Sequence, residues 1–273
     1  MRRERNPLLT AYALVVYAFL FAPIVVLILF SFNDSKRNFY WNGFTLSWYP
    51  ALFANEALIG ALWVTIQVAV IAVVLSTILG SLLGLGLARL KGGRASGLSD
   101  TLILLPMVTP EVVTGISLLL FFALLFKANG SIIQIAIAHI AFSISYVAVI
   151  VRSRAVSLDP RMEEAARDLG ASPRGAFLHV TLPLIGSAVV SGALISFALS
   201  FDDLIITSFN SGVGSSTLPL YIYSRIKFGV TPEINAISTI VVVTTAVLIL
   251  GVTAYNARRG RRRPTIGTRE AEA

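Results

Sequence analysis

The apolar residues of this chain come in long runs rather than at the spacing of an amphipathic helix or a strand. Each run has about twenty residues or more, enough to cross roughly 30 Å of hydrocarbon as a helix that rises about 1.5 Å per residue. The pattern predicts an all-α, polytopic membrane protein with six transmembrane helices in a single transmembrane domain, residues 1–273. The predicted spans are residues 8–32, 58–88, 101–126, 132–151, 184–208 and 234–255.

Composition supports the membrane class and narrows the chemistry. Of the 273 residues, 56% are hydrophobic and 13% are charged, an apolar excess that no soluble domain of this length needs. The chain has no cysteine and two histidines, so neither a disulfide framework nor a metal site is expected. No catalytic residue is predicted.

The basic residues predict the orientation of the chain in the membrane. All but five of the 22 Lys and Arg residues fall in the N-terminal segment, the second-to-third loop, the loop 152–183 or the tail 256–273. The five on the other side are Lys36, Arg37, Lys127, Arg225 and Lys227. Basic residues accumulate on the cytoplasmic side, so both termini are expected there. The basic tail then needs no nucleic-acid partner.

The loop 152–183, between the fourth and fifth spans, carries signals of folded structure. Asp159 precedes a proline, as at a helix N-terminus, and a short helix is predicted over 162–169. Gly170 stands where a helix ends in a left-handed residue, and Ser172 before a second proline repeats the start signal. The pattern predicts a compact cytoplasmic knob.

The amino-acid sequence of this loop is more specific than its pattern of helix start and stop signals. It resembles the E-A-A-x3-G-x9-I-x-L-P signature of bacterial ABC importer permeases, with Val180 in place of the usual isoleucine. The matching residues are Glu164, Ala165, Ala166, Gly170, Leu182 and Pro183. The resemblance implies that these residues, with Glu163, form a coupling helix that docks into a groove on an ATP-hydrolysing subunit. The chain contains no G-x4-G-K-[ST] sequence, so ATP and Mg are expected in that partner and no cofactor in this chain.

Four acidic residues stand inside or beside the predicted spans: Glu111, Asp202, Asp203 and Glu233. Charge in hydrocarbon is costly and tends to be functional, so they are candidates for a substrate path. Without a matching basic residue at depth, they favour a cationic cargo. Alternatives remain: Glu233 also suits a helix N-terminus, the two aspartates suit the interface, and Glu111 suits an ion pair with a neighbouring subunit. His139 is expected to be a hydrogen-bonded core residue.

A second resemblance covers nearly the whole chain. Segments 21–23, 31–33, 110–120, 199–204, 217–219 and 232–236 are similar to polyamine permeases, in which aspartate is commoner than Glu111. The resemblance implies a spermidine or putrescine importer in the bacterial inner membrane. Its implied partners are a second permease in a heterodimer, two ATPase copies and an external binding protein.

Other functions are compatible with parts of the sequence. Ferric-ion and anion permeases share the loop signature, although the acidic residues speak against anions. An ion-gradient-driven transporter often shows inverted repeats, and none is evident. An intramembrane serine hydrolase with His139 as base would need a nucleophile motif, and the chain has no G-x-S-x-G.

Two predicted spans carry small residues four apart, a spacing that lets helix backbones approach closely. The stripes are Ser76, Gly80, Gly84 and Ala88 in the second span, and Ala188, Gly192, Ser196 and Ser200 in the fifth. Packing within the chain is the expected use, and a subunit interface is the alternative.

Overall fold

A computed structural model describes residues 6–35, 40–90, 94–127, 130–159, 161–226 and 231–261. The chain divides into two compact units, one of Met1–Glu56 with Arg225–Ala273 and one of Ala57–Ser224. Within the described residues the regular structure is helical, apart from one isolated bridge between Asn33 and Phe44. The all-α prediction is therefore confirmed.

Twelve α-helices are numbered in chain order across the described ranges. They are α1 Pro7–Phe30, α2 Trp48–Ala54, α3 Glu56–Arg89, α4 Arg94–Val108, α5 Glu111–Phe126, α6 Ile132–Val156, α7 Arg161–Asp168, α8 Pro173–Ala176, α9 Leu182–Phe201, α10 Ile205–Asn210, α11 Leu218–Ile226 and α12 Pro232–Arg261. A π-helical turn, Phe177–Thr181, joins α8 to α9. The last residues of the predicted basic tail, 262–273, lie outside the described residues.

Not all of the predicted spans are single straight helices. In the described part of the chain four helical segments are long and apolar enough to cross a membrane: Pro7–Phe30, Glu56–Arg89, Ile132–Val156 and Pro173–Phe201. A fifth span is possible if Gly97–Val108 and Glu111–Phe126, which are bent by 101°, count together. The predicted sixth span falls in α12, where Pro232–Val247 forms a shorter apolar helix. The count of six therefore stays a prediction.

The predicted third span, 101–126, is broken where its prolines indicate. Pro106 lies inside α4, which ends at Val108, and Pro110 directly precedes α5 in an extended conformation. Proline has no backbone N–H to continue a helical ladder, and its ring crowds the preceding turn. The expected break is confirmed, and it places Glu111 at the first residue of α5.

The predicted fifth span is also interrupted, and there a continuous helix over 184–208 was the wrong expectation. α9 ends at Phe201, and α10 begins only at Ile205. The Asp203 carboxylate accepts hydrogen bonds from the backbone N–H groups of Ile206 at 3.3 Å and Thr207 at 2.8 Å. An aspartate that binds the first N–H groups of a following helix starts a new helix instead of continuing the old one.

The small-residue stripes pack within the chain, largely against α6. A Cβ added to Gly80 would lie 2.7 Å from the Val147 Cβ, and one added to Gly84 would lie 2.5 Å from the Ala148 carbonyl oxygen. Across the two stripes the buried hydroxyls of Ser76 and Ser196 share a 2.8 Å hydrogen bond. Packing within the chain, the expected use, is what the structure shows.

The loop between α1 and α2 is organised around the fully buried Asn33. Its side-chain amide donates to the Tyr40 carbonyl at 2.8 Å, and its side-chain oxygen accepts from the Asn42 N–H at 2.8 Å. The Trp48 indole N–H donates to the Asn33 carbonyl at 2.8 Å. These bonds give the polar groups of one buried residue partners in the loop and at the start of α2.

Candidate functional site

The first candidate site is the predicted coupling loop, whose helix starts as the sequence indicates. α6 continues to Val156, and α7 covers Arg161–Asp168. Between them, the Asp159 side chain accepts a hydrogen bond from the Arg161 N–H at 2.9 Å. This bond satisfies one of the N–H groups that the first helical turn leaves without an internal partner.

Gly170 ends α7 in the predicted left-handed conformation, with φ of +92°. Its N–H donates to the Arg167 carbonyl at 2.9 Å, and the Ala171 N–H donates to the Ala166 carbonyl at 3.0 Å. These two bonds form the Schellman arrangement, in which a left-handed residue closes the helix. A Cβ at position 170 would meet no atom within 4 Å, so the glycine is needed for its backbone angle and not for space.

The remaining signature residues continue from this turn into the next span. Ser172 accepts the Gly175 N–H at 3.1 Å and starts α8. Leu182 and Pro183 are the first residues of α9 and are exposed. Ala165 is exposed on α7, and Ala166 is half-buried there. Part of the signature is therefore exposed in this chain.

The adjacent Glu163 and Glu164 have different surroundings. The Glu163 carboxylate accepts from the Arg89 guanidinium at 2.8 Å and from the Thr181 hydroxyl at 3.1 Å. It thereby links α7 to the end of α3 and to the π-helical turn. Glu164 is exposed. The sequence reasoning missed Arg89 as a partner, because residues 74 positions apart give no local signal.

The second candidate site is a cavity of about 380 Å³ in the unit Ala57–Ser224. It lies where α4, α5, α6 and the break between α9 and α10 meet. Three predicted substrate-path acids line it: Glu111, Asp202 and Asp203. Residues from separate predicted spans thus meet at one place, beside the two helix breaks.

Two of these acids, Glu111 and Asp202, have few contacts. Glu111 and Asp202 are both exposed. Among the described residues, neither side chain has a hydrogen-bond or ion-pair partner in another residue. Carboxylates without partners at the edge of an apolar span attract a positive ligand that can replace its lost water with them.

Asp203, by contrast, has several hydrogen-bonding contacts. Besides the two N–H groups at the start of α10, its carboxylate accepts from the Thr207 hydroxyl at 2.8 Å and lies 3.2 Å from His139 Nε2. His139 Nδ1 lies 2.8 Å from the Ser200 hydroxyl. All four residues are buried. His139 is therefore the hydrogen-bonded core residue that the sequence predicts.

The fourth predicted acid is not part of this cavity. Glu233 lies in the first turn of α12, in the unit that contains both ends of the chain. Its carboxylate accepts a 3.0 Å hydrogen bond from the Asn55 side-chain amide. This environment agrees with the alternative in which Glu233 stabilises a helix N-terminus.

The cavity also contains residues that the sequence reasoning did not single out. Thr114 of α5 and Tyr146 of α6, which both carry a hydroxyl group, line it. Neither residue is unusual in an apolar span. Ionisable groups within membranes generally pair with one another. A pairing of His139 with one of the aspartates could therefore have been predicted from the sequence.

Comparison with known sequences agrees with this architecture. Residues 76–263 match the model of a protein family described as the binding-protein-dependent transport system inner membrane component. The putrescine transport system permease protein PotI of Escherichia coli K12 is 40% identical over 256 residues, 92% of this chain and 90% of that protein. The spermidine/putrescine transport system permease protein PotC of Haemophilus influenzae is 40% identical over 240 residues, 88% of this chain and 93% of that protein.

Solved structures share the fold at lower sequence identity. A bacterial ABC transporter involved in the import of alginate matches with a TM-score of 0.69 and 17% identity, over 94% of this chain and 96% of that one. An amino acid ABC transporter matches with a TM-score of 0.56 and 20% identity, over 79% of this chain and 99% of that one. The chain belongs to the family of binding-protein-dependent transport system inner membrane components, and it is a transport component rather than an enzyme.

Proposed function

We propose that this chain is a permease subunit of an ABC importer that moves polyamines, spermidine or putrescine, into the cytoplasm. The observation that carries the proposal is the 40% identity to PotI and PotC permeases over 92% and 88% of the chain. The acidic cavity supports the same cargo class.

A polyamine carries several ammonium groups, each of which loses hydration on entering an apolar passage. Glu111 and Asp202 would replace that water with charged acceptors at the cavity of the unit Ala57–Ser224. An anionic cargo would meet two free carboxylates without a matching base. Glu233 remains a candidate contact at a separate point of the path.

The assembly that we propose contains this chain, a second permease, two ATPase copies and an external substrate-binding protein. One solved structure of the same fold, a bacterial alginate ABC transporter, is in complex with an alginate pentasaccharide-bound periplasmic protein. ATP and Mg would be held by the ATPase subunits. The distribution of basic residues supports an inner-membrane protein with both termini in the cytoplasm.

The loop 152–183 would couple the ATPase to the permease. Closure of the ATPase subunits would press on α7 and on Gly170, and α6 and α9, which flank the loop, would carry the movement into the membrane. The permease would then alternate between outward and inward access. No covalent step takes place in this chain.

The test is uptake of labelled putrescine and spermidine by cells that express the full transporter, with the wild type compared with Gly170→Asp. We expect saturable uptake that the variant loses while its insertion into the membrane is unchanged. Uptake that is indifferent to Gly170 and to the ATPase would overturn the importer proposal. No polyamine uptake by a verified assembly would redirect the cargo assignment to other cations, with ferric iron first.

A further inference from the structure

The buried group around Asp203 has a function that the cargo path does not account for. In membrane proteins an ionisable residue in a span is a candidate for cargo contact. The Asp203 carboxylate already accepts hydrogen bonds from two backbone N–H groups and one hydroxyl, and it contacts the imidazole of His139. Three of these contacts fall on Oδ2, and among the described residues Oδ1 accepts only the Ile206 N–H. Asp203 therefore has less acceptor capacity left for a cargo ammonium than Asp202 has.

The roles of the two His139 nitrogens follow from their partners. A carboxylate can only accept, so Nε2 carries a hydrogen, which faces both the Asp203 carboxylate at 3.2 Å and the Thr207 hydroxyl oxygen at 3.1 Å. Nδ1, the second ring nitrogen, forms a hydrogen bond with the Ser200 hydroxyl at 2.8 Å. Ser200 belongs to α9 and Asp203 to the break before α10, so one imidazole on α6 holds both sides of the break.

The residue whose position depends on this arrangement is Asp202. It is the first residue beyond α9, and it stands between the two residues that His139 holds. Unlike its neighbour, it is exposed and lines the cavity with Glu111. If Asp203 lost its donor, a buried carboxylate would lack one partner, and the break would rearrange to hydrate it.

We propose that His139 is a positioning residue for cargo binding: by holding Asp203 and Ser200 across the break, it keeps Asp202 in the cavity as a cargo-facing carboxylate. The proposal rests on the proposed function. It divides the two adjacent aspartates into one that contacts the cargo and one that shapes the site.

The experiment is putrescine uptake kinetics in the source organism, with the chain's own gene replaced by variants. His139→Leu removes the donor, and we expect KM to rise about tenfold or more with similar amounts of inserted protein. His139→Gln offers an amide N–H in place of Nε2, and we expect KM to stay within about threefold of the wild type. Ser143→Ala is the matched control, because it removes a buried α6 hydroxyl one turn away that has no hydrogen-bond partner among the described residues.

A double variant separates positioning from general stability. If His139 acts through Asp202, adding His139→Leu to Asp202→Asn should raise KM by less than about threefold over Asp202→Asn alone. Fully additive effects would overturn the proposal, and so would a lower Vmax with unchanged KM in His139→Leu. Equal KM values for the Gln and Leu variants would overturn the hydrogen bond as the cause.

The positioning role of His139 and the proposed function can be overturned separately. Saturable wild-type putrescine uptake with an unchanged KM in His139→Leu would overturn the positioning role and leave the proposed function standing. A wild type without saturable uptake of either putrescine or spermidine would overturn the polyamine assignment, and with it this inference.

Discussion

At the residue scale, the adjacent residues Asp202 and Asp203 have different surroundings, so neutralising each of them should affect transport differently. Asp202 is exposed in the cavity, while Asp203 is buried with four hydrogen-bonding contacts. Glu111 reaches the same cavity from the first residue of α5. Burial and partners, which a sequence does not display, thus decide which carboxylates are available to a cation.

Neutralising either free acid should weaken cargo binding. We expect Glu111→Gln and Asp202→Asn each to raise the KM for putrescine about tenfold, because each removes a charged acceptor from a cationic ligand. Uptake kinetics measure this, and Asp34→Asn, at an exposed acid in the loop after α1, is the control. Unchanged KM values in both variants would remove the cavity from the cargo path.

Gly170 gives a second residue-scale prediction, since its constraint is its backbone angle alone. With φ of +92° and open space around it, any Cβ is opposed by the conformation and not by a neighbour. We expect Gly170→Ala to destabilise the loop by about 1 kcal/mol and to lower uptake, with Gly170→Asn less affected. Gly86→Ala, in open space within α3, is the control that should leave uptake unchanged. Equal uptake by all the variants would contradict the prediction.

At the scale of the elements, the contact between α3 and α6 depends on missing side chains. A Cβ at Gly84 would lie 2.5 Å from the Ala148 carbonyl oxygen, while one at Gly86, two residues along the same helix, would meet nothing within 4 Å. We expect Gly84→Ala to destabilise the folded protein by about 1–3 kcal/mol, because the backbones must separate. Thermal unfolding of the two purified variants in detergent measures the difference. Equal midpoints would contradict the close packing.

The coupling loop makes a different element-scale prediction for its two adjacent glutamates. Glu163 is engaged within the chain by Arg89 and Thr181, and Glu164 is exposed. We expect Glu164→Gln to weaken association with the ATPase subunit up to about tenfold, and Glu163→Gln to have little effect on it. Because the Arg89 pair is exposed, Glu163→Gln should change the free energy of unfolding by less than about 1 kcal/mol. Binding of the purified ATPase to each variant decides between them, and the reverse order would contradict the assignment.

The helix breaks show which features of this fold can be predicted from the sequence. Pro110 and Gly170 act through their own backbones, so both breaks were predicted from local signals. The break at 202–204 contains neither proline nor glycine, and the side chain of Asp203 that starts α10 there contacts His139, 64 residues away in the chain. Contacts over such distances leave no periodic or compositional trace. The shared cavity of Glu111 and Asp202 has the same origin.

At the scale of the whole molecule, hydropathy identified the apolar runs but not their straightness. A run of sufficient length reads as a span even where the helix inside it bends by 101°, as between Gly97–Val108 and Glu111–Phe126. The sequence therefore predicted the membrane class and the order of the elements, while the number of complete spans depends on how the bent pair is counted. Hydropathy does not predict the orientation of the chain in the membrane. The distribution of Lys and Arg does, because loops rich in these residues lie on the cytoplasmic side.

That orientation is open to direct measurement, because the chain has no cysteine and each introduced thiol is unique. Leu169 is 90% exposed in the coupling loop, and Val213 is fully exposed in the turn after α10. With both termini in the cytoplasm, a membrane-impermeant maleimide applied to intact cells should label Val213→Cys and leave Leu169→Cys unlabelled until the cells are opened. Both positions are exposed, so the two thiols differ mainly in which side of the membrane they occupy. Labelling of Leu169→Cys from outside would place the loop away from any cytoplasmic ATPase and would contradict both the orientation and the coupling role.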